Sequence, residues 1–237
     1  YVVANRDRLD SRFEMVRAIR DKRYRYQRNF YPNLPYKPFE DYEFGAPVLI
    51  EWVKLARAGK LTGAMEMPAM RFKPVEELYD AESDPHMIKN LAGDPKYAKV
   101  LKLMRQRLDE WMIETVDLGV MAEAEVHRRA EGKSAHWDVG QELDNYERIL
   151  ETANLQIQGQ QAGAELTARS KDPDPAVRFW AVLGLAVIIQ TAGSEAVEGI
   201  VPSLKEALQD ESVSVRLSAA EGLCNLGRYG DAVSEIG

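Results

Sequence analysis

The sequence is poor in the residues that build disulfides and metal sites. Its only cysteine is Cys224, which excludes an internal disulfide framework and a zinc site made of thiolates. The three histidines, His86, His127 and His136, show neither HxxxH nor HExxH spacing, which argues against a histidine metal site. No G-x-G-x-x-G or Walker A pattern occurs, so the sequence gives no support for a nucleotide site.

Long apolar runs are also missing. The longest, around residues 180–189, is interrupted by Gly184 and falls short of the ~20 residues that cross a bilayer, so we expect no membrane span. The first residues lack the basic region of a signal peptide, and the chain does not begin with methionine. We therefore expect this chain to be a fragment of a larger protein.

Charge is unevenly distributed along the chain. The net charge is −7, yet residues 6–28 contain nine basic and four acidic side chains, which makes that segment strongly positive within an acidic protein. A basic segment of this kind suits an anionic partner. The alternative is that these side chains are ordinary solvent-exposed positions on strands.

The first half of the sequence predicts an α+β unit with a small antiparallel sheet. Strand-like patterns cover residues 1–5, 14–20, 23–29 and 74–79, with a tight turn at Asp21-Lys22. A helix is predicted over residues 46–58 because Val48, Trp52 and Leu55 recur at helical spacing, and Gly59 would end it.

Two Asp-Pro pairs predict helix starts, because proline is favoured in the first helical turn. The first pair is Asp84-Pro85, and the second is Asp94-Pro95, whose helix we expect to reach about residue 115. That helix would present one apolar stripe to the sheet. The stripe consists of Tyr97, Val100, Leu101, Met104, Leu108, Trp111 and Met112.

A repeat with an offset of 38 residues marks the second half. The pattern Val-Arg…Ala…Gly-Leu at 177–185 recurs at 215–223, and Asp172 falls on Asp210. A period near 40 with two helices per unit is typical of HEAT-like repeats, so we predict an all-α solenoid. We expect the two aspartates to cap helices, Arg178 to lie on the surface, and Gly184 and Gly222 to allow close helix crossing. No polar terminal cap is visible at 234–237, which predicts a truncated array.

The pattern ELYD-x3-DP-x4-NLA, from Glu77 to Ala92, resembles the C-terminal subdomain of alkaline-phosphatase-like sulfatases, nearest to the heparan N-sulfatase-like branch. The strands upstream resemble those that precede this pattern in the family. The resemblance covers residues 1–118. We therefore assign residues 1–118 to a sulfatase-like subdomain, 119–144 to a connection with a short helix near 123–130, and 145–237 to HEAT-like repeats.

The resemblance implies hydrolysis of sulfate esters or sulfamates, with sulfated glycans as the expected substrates. Family members use a formylglycine, made from cysteine or serine in a C/S-x-P/A-x-R motif, beside a calcium ion. Both are expected in an N-terminal subdomain outside this chain, so we predict that this chain alone is inactive. Cys224 and Arg228 have the motif's spacing, but Leu226 stands where proline or alanine belongs. We expect Cys224 to be a buried core residue.

Candidate site residues are few. Arg6 and Arg8 follow a strand and open a loop, and arginine suits bidentate recognition of oxyanions, so we predict that they help to bind an anionic glycan. The alternative is a structural salt bridge with Asp7 or Asp10. A further candidate is an acid/base pair among three carboxylates, although turn and strand formation explains them better. These carboxylates are Glu76, Glu77 and Asp80.

Two classes of function remain open. The first is the C-terminal segment of a periplasmic or secreted sulfatase whose repeats bind a partner protein or a glycan, or extend the scaffold. The second is a non-enzymatic interaction module, in which the Arg-Tyr-Arg-Tyr segment at 23–26 could contact single-stranded nucleic acid. The acidic pI of about 5.2 weighs against nucleic acid.

Overall fold

The structure, a computed structural model, describes residues 1–8, 13–36, 45–70, 72–132, 135–190 and 194–227. The chain divides into two units, Tyr1–Glu110 and Trp111–Gly237. An antiparallel sheet lies in the first and a set of helices in the second, which confirms the predicted α+β region joined to an all-α region. The domain limits at 118 and 145 stay predictions, and the expected truncation at 234–237 concerns residues outside the described ranges.

The strands and helices of the described ranges are numbered here in chain order. The strands are β1 (Val2–Arg6), β2 (Val16–Arg20), β3 (Tyr24–Asn29) and β4 (Glu76–Asp80). The helices of the first half are α1 (Pro47–Arg57) and α2 (Ala98–Thr115). Those that follow are α3 (Glu123–Arg129), α4 (Ala135–Glu142), α5 (Tyr146–Asn154), α6 (Gly163–Arg169), α7 (Pro175–Ile188), α8 (Ser194–Ala207) and α9 (Val213–Asn225). None of the described helices is long and apolar enough to traverse a bilayer.

The sheet is a meander with the order β1-β2-β3-β4, and every pair is antiparallel. The predicted turn at Asp21 is confirmed, because its carboxylate accepts hydrogen bonds from the backbone N–H groups of Arg23 and Tyr24. Ile19, Tyr26 and Leu78 lie opposite one another across three strands, and all three are buried. They form the apolar centre of one sheet face.

Helix α2 contacts that same face. Arg105 of α2 donates two hydrogen bonds of 2.7 Å to the Glu76 carboxylate on β4, which also accepts a 2.6 Å bond from the Tyr26 hydroxyl. Met104 and Leu108 of the predicted stripe are buried. The second Asp-Pro signal is confirmed, since Asp94 caps a 3-10 turn that leads into α2.

Two arginines of the basic segment are not solvent-exposed positions. Arg17 and Arg28 are each only 1% exposed. Arg17 donates to the Asp7 carboxylate at 2.9 Å, and Arg28 donates to the Val75 carbonyl at 2.9 Å while its guanidinium lies over the ring of Phe30. Strand alternation alone does not predict the burial of these two arginines, because the partners that pair with them lie in other segments of the chain.

One prediction about the helices of the first unit is wrong, and one helix forms as predicted but is not buried. No helix begins at Asp84-Pro85; the segment turns instead, with Met87 at φ +54°. Helix α1 forms as predicted, but it has no buried residue, and Val48 of its apolar stripe is 78% exposed. Its local signals, Pro47 in the first turn and Gly59 at φ +62°, are sufficient to place the helix without burying the stripe.

In the second unit α7 is the central helix. It contacts α5, α6, α8 and α9, and all of its residues after Pro175 are buried. The glycines allow close approach as predicted: a Cβ at Gly184 would lie 2.9 Å from Leu166, and one at Gly222 would lie 2.9 Å from the Cβ of Ala186. Helix α3 lies within the predicted connection, as expected, but α4 was not predicted.

The repeat's charged positions need correction. Asp172 and Asp210 do not cap helices; the N-cap residues are Asp174 and Ser212, and the two earlier aspartates accept their backbone N–H groups. Arg178 is not on the surface, since only 11% of its side chain is exposed and it pairs with Asp210 at 2.7 Å. The charge of Arg178 can be buried because the Asp210 carboxylate of the next repeat neutralises it.

The Asp80 carboxylate generates a pH-dependent prediction. Hydrogen bonds from Arg23 and from the backbone of Glu82 and Ser83 lower the pKa of Asp80 to about 2, below its ordinary value of 3.8. A lowered carboxyl pKa stabilises the fold above the unfolded-state pKa, and this stabilisation is lost as the pH falls through the folded-state value. We expect Asp80→Asn to lower the urea midpoint at pH 7, with the difference closing from about pH 4 to about pH 2.

Unfolding followed by circular dichroism at several pH values measures this difference. Glu66→Gln, at an exposed carboxylate of the same unit, is the control and should leave the midpoint unchanged. A gap between wild type and Asp80→Asn that stays constant across the pH range contradicts the assignment.

The glycine contacts generate a second prediction. Gly222→Ala should destabilise the helical unit by about 1–3 kcal/mol, because the new methyl group meets Ala186, which cannot move without its backbone. Gly184→Ala should cost less, since it meets the end of the flexible Leu166 side chain. Gly199 is the control: it lies in α8 with open space around it, so Gly199→Ala should stabilise by about 0.5–1 kcal/mol. Equal effects of all three substitutions on the denaturation midpoint would contradict this account.

Candidate substrate-binding face of the sheet

The second face of the sheet carries a cluster of paired charges at the end of β1. Arg6 donates a 2.6 Å hydrogen bond to one oxygen of Glu14, and the Lys73 ammonium pairs with the other oxygen. The side chains of Glu14 and Lys73 are buried, whereas that of Arg6 is 54% exposed. Burial lowers the pKa of Lys73, although the charge of Glu14 acts in the opposite direction.

The predicted site residues Arg6 and Arg8 lie at the end of β1 and on the segment that follows it. Arg6 has a structural partner, but this partner is Glu14 and not Asp7, which pairs with Arg17. Asp10, the other proposed partner, lies outside the described residues. Arg8 is exposed two residues after the end of β1. The arrangement leaves much of the Arg6 side chain in reach of solvent.

Next to this charge cluster, hydrogen-bond donors converge on the buried carboxylate of Glu77. The side-chain amides of Asn29 and Gln27 donate to it at 2.6 and 3.0 Å. The hydroxyls of Tyr36 and Tyr79 donate as well. Burial, strengthened by the negative charge of Glu77, raises the pKa of both tyrosines, so they remain protonated donors. The network fixes the two rings in place.

The two tyrosines form part of the wall of a cavity of about 450 Å³. Its wall combines apolar side chains with a few polar ones, which is the usual composition of a small-molecule pocket. The loop after β4 contributes His86, Ile88 and Asn90, and the strained backbone at Met87 lies within this loop. The remaining lining residues are Gly63, Ala64, Glu66, Met67, Met70 and Pro74.

The other two carboxylates considered for acid/base chemistry have structural partners. Glu76 accepts from Arg105 and Tyr26, and Asp80 accepts two hydrogen bonds from Arg23. Together with the Glu77 network, these contacts account for each carboxylate as an acceptor that holds strands, turns and helix together. The contacts of these carboxylates are therefore structural, and they form no evident acid/base pair.

The remaining candidates from the sequence are dispersed. His86 and His127 are exposed. Cys224, expected in the core, is only partly buried, and Arg228 of its motif-like stretch lies outside the described residues. Among the residues that the structure describes, no group of three or more His, Cys, Asp and Glu side chains is placed to hold a metal ion.

Sequence reasoning missed three residues that shape this face. Glu14 and Lys73 are 59 positions apart, and Tyr36 lies 41 positions before Glu77, so no local pattern connects them. The one available signal was Glu14 itself, a carboxylate between Phe13 and Met15 immediately before a strand. A charge placed among apolar residues indicates a buried partner.

Comparisons with known proteins identify this half of the molecule. The chain is 37% identical over 126 residues to an "Ulvan-active sulfatase" of Formosa agariphila, which is 53% of this chain and 21% of that protein. It is 30% identical over 108 residues to human N-sulphoglucosamine sulphohydrolase, covering 45% of this chain and 21% of that enzyme. A Delta 4,5-hexuronate-2-O-sulfatase of Bacteroides thetaiotaomicron is 50% identical over 42 residues, 18% of this chain and 9% of that enzyme.

The chain thus spans about a fifth of the length of the first two of these relatives. In the second half, residues 200–230 match the HEAT repeat family. Both parts of the resemblance drawn from the sequence are confirmed. This chain joins a segment homologous to sulfatases, about half of its length, to a region with a HEAT repeat.

Proposed function

We propose that this chain serves as part of a sulfatase that hydrolyses sulfate esters or sulfamates of sulfated glycans. The observation that carries the proposal is the similarity of about half the chain to two sulfatases, together with a match of 18% of the chain to a third. All three are named for carbohydrates or their units. The sequence contains no C/S-x-P/A-x-R motif. On this proposal the formylglycine and the calcium ion belong to a part of the enzyme outside this chain, and the segment in hand supplies binding groups.

Arg6 is the binding group that the geometry favours most. Its guanidinium is half-exposed, and its partner Glu14 is also held by the buried Lys73. Arg6 can therefore turn toward a sulfate group without leaving a buried carboxylate unpaired, which would be costly. Arg8, exposed on the loop that follows, is proposed as the second contact, because two guanidinium groups can hold the several oxygens of a sulfate.

The cavity beside Glu77 suits the uncharged part of such a ligand. Its tyrosine rings and methionines offer apolar surface, while Asn90 and the tyrosine hydroxyls supply hydrogen-bond partners. Lys73, which pairs with Glu14, directly precedes Pro74 of the cavity wall, so the charged cluster and the cavity are continuous along the chain. This continuity supports a binding face on which the arginines hold the anionic group of the ligand and the cavity holds its sugar.

The HEAT-repeat region supports a second proposal, that the helices bind a partner protein or extend the scaffold. The match at 200–230 is what favours it.

We also propose a periplasmic or secreted location, by analogy with the bacterial relatives. The nucleic-acid alternative loses its basis, since Tyr26 is fully buried and β3 is paired on both sides.

The assay of sulfatase activity is the first test. This chain alone should not release sulfate from 4-nitrocatechol sulfate or from a sulfated disaccharide in the presence of calcium, whereas the polypeptide extended to the full length of its gene should. Release by the chain alone would overturn the proposal that the nucleophile lies elsewhere. If the full-length polypeptide releases no sulfate from a panel of sulfated glycans, the result would favour the interaction module.

Arginine variants of the active full-length polypeptide test the binding face. Arg6→Ala and Arg8→Ala should each raise KM for a sulfated disaccharide about ten-fold with little change in kcat, because they remove an ionic contact that is made in both ground and transition states. Arg6→Lys should preserve the pairing with Glu14 and the melting temperature, yet lose part of the affinity.

Arg57→Ala, at an exposed arginine near the end of α1, is the matched control. It should leave KM unchanged. If all three alanine variants change KM equally, the two loop arginines have no specific role. If Arg6→Ala lowers only the melting temperature, its contact with Glu14 is purely structural.

A further inference from the structure

A second cleft lies in the helical unit and is lined by two tryptophans. It has a volume of about 550 Å³, and Trp111 from α2 and Trp137 from α4 contribute to its wall. Trp137 is 74% exposed, which is unusual for so large an apolar side chain. Aromatic faces left open to solvent in a concave site are available to a ligand.

The charge of this cleft has one sign. Among the described lining residues the ionisable side chains are Glu114 and Asp117, and neither a lysine nor an arginine is present. Asp117 is engaged as the N-cap of the turn Leu118–Val120, where it accepts the Gly119 N–H at 3.0 Å. Glu114 is exposed near the end of α2. A carboxylate beside tryptophan rings is complementary to a cation, because the ring faces also carry negative potential.

The backbone of the cleft is strained at Val116. This residue follows the end of α2 at φ +46°, while the N–H of Asp117 bonds to the Met112 carbonyl at 3.0 Å and that of Val116 to the Ile113 carbonyl at 3.2 Å. These two bonds form a helix-ending motif in which glycine is the usual residue at this position. A β-branched residue there is an outlier that costs stability. Val116 nonetheless contributes to the cleft wall.

We propose that this cleft binds a small organic cation of the ammonium type, held against the tryptophan faces and neutralised by Glu114. The occupant is small because the cleft has the volume of a pocket for a small molecule. Neutral Gln141 and Thr115 at the rim add hydrogen-bonding capacity without adding positive charge. The cleft shares no lining residue with the cavity of the proposed glycan-binding face, and the proposal does not depend on sulfatase activity.

Titration calorimetry of the whole chain with choline, and with its neutral isostere 3,3-dimethylbutan-1-ol, tests the proposal. Choline should bind in the millimolar range and at least about five-fold more tightly than the alcohol, since only the cation gains from the ring faces. Glu114→Gln should reduce this preference about three-fold or more while leaving the alcohol unaffected. Trp137→Leu should weaken choline binding about ten-fold.

Two further variants separate binding from folding. Val116→Gly removes part of the wall and relieves the positive φ, so it should raise the melting temperature and weaken choline binding. Trp52→Leu, at a tryptophan of α1 in the other unit, is the control and should leave binding unchanged. Equal affinity for choline and the alcohol, no binding of choline at tens of millimolar, or equal losses in the Trp52 and Trp137 variants would each overturn the proposal.

Discussion

Arg17 and Arg28 lie opposite each other on one face of the sheet and carry buried charge that the first unit must pair. A buried guanidinium without acceptors would cost several kcal/mol, which is a large part of the stability of a small unit. Arg17 is met by Asp7, and Arg28 by carbonyl groups and the ring of Phe30. Because these partners come from the segment after β1 and from the segment before β4, charge pairing supports the same register as the apolar row.

The same constraint acts in the repeats, where it joins successive units. Arg178 donates to the carbonyls of Asp172 and Pro173 in its own repeat and to the carboxylate of Asp210 in the next. Arg216, 38 positions later, donates in the same way to the carbonyls of Asp210 and Glu211. An arginine that donates to the carbonyls of its own turn and to the aspartate of the next turn can recur at the same position in each repeat. The glycines serve the same stacking, because Leu166 and Leu204 approach Gly184 and Gly222 at equivalent positions.

Local patterns sufficed for most elements but not for the site. The period of two located the strands, the 38-residue offset located the repeats, and a spaced motif led to the sulfatase resemblance. Asp84-Pro85 failed because Met87 adopts positive φ and the chain returns toward β4, where the Leu78 carbonyl accepts the Leu91 N–H. Arg178 was placed on the surface because its partner lies 32 residues away. Long-range pairs of this kind leave no periodic trace in a single sequence.

The sign of charge distinguishes the two candidate binding sites and argues that they take different ligands. Arg6 and Arg8 belong to the positive segment, and the buried carboxylate that Arg6 contacts, Glu14, also pairs with Lys73. At Arg6 an anion would therefore meet a carboxylate that is already paired with a cation. The same anion at the tryptophan cleft would meet Glu114 and Asp117, with no described basic residue in the wall. At a separation of about 4 Å, even well-solvated like charges repel by about 1 kcal/mol, and more as water is excluded. The same electrostatics would therefore favour a sulfated ligand at the proposed site on the sheet over the cleft.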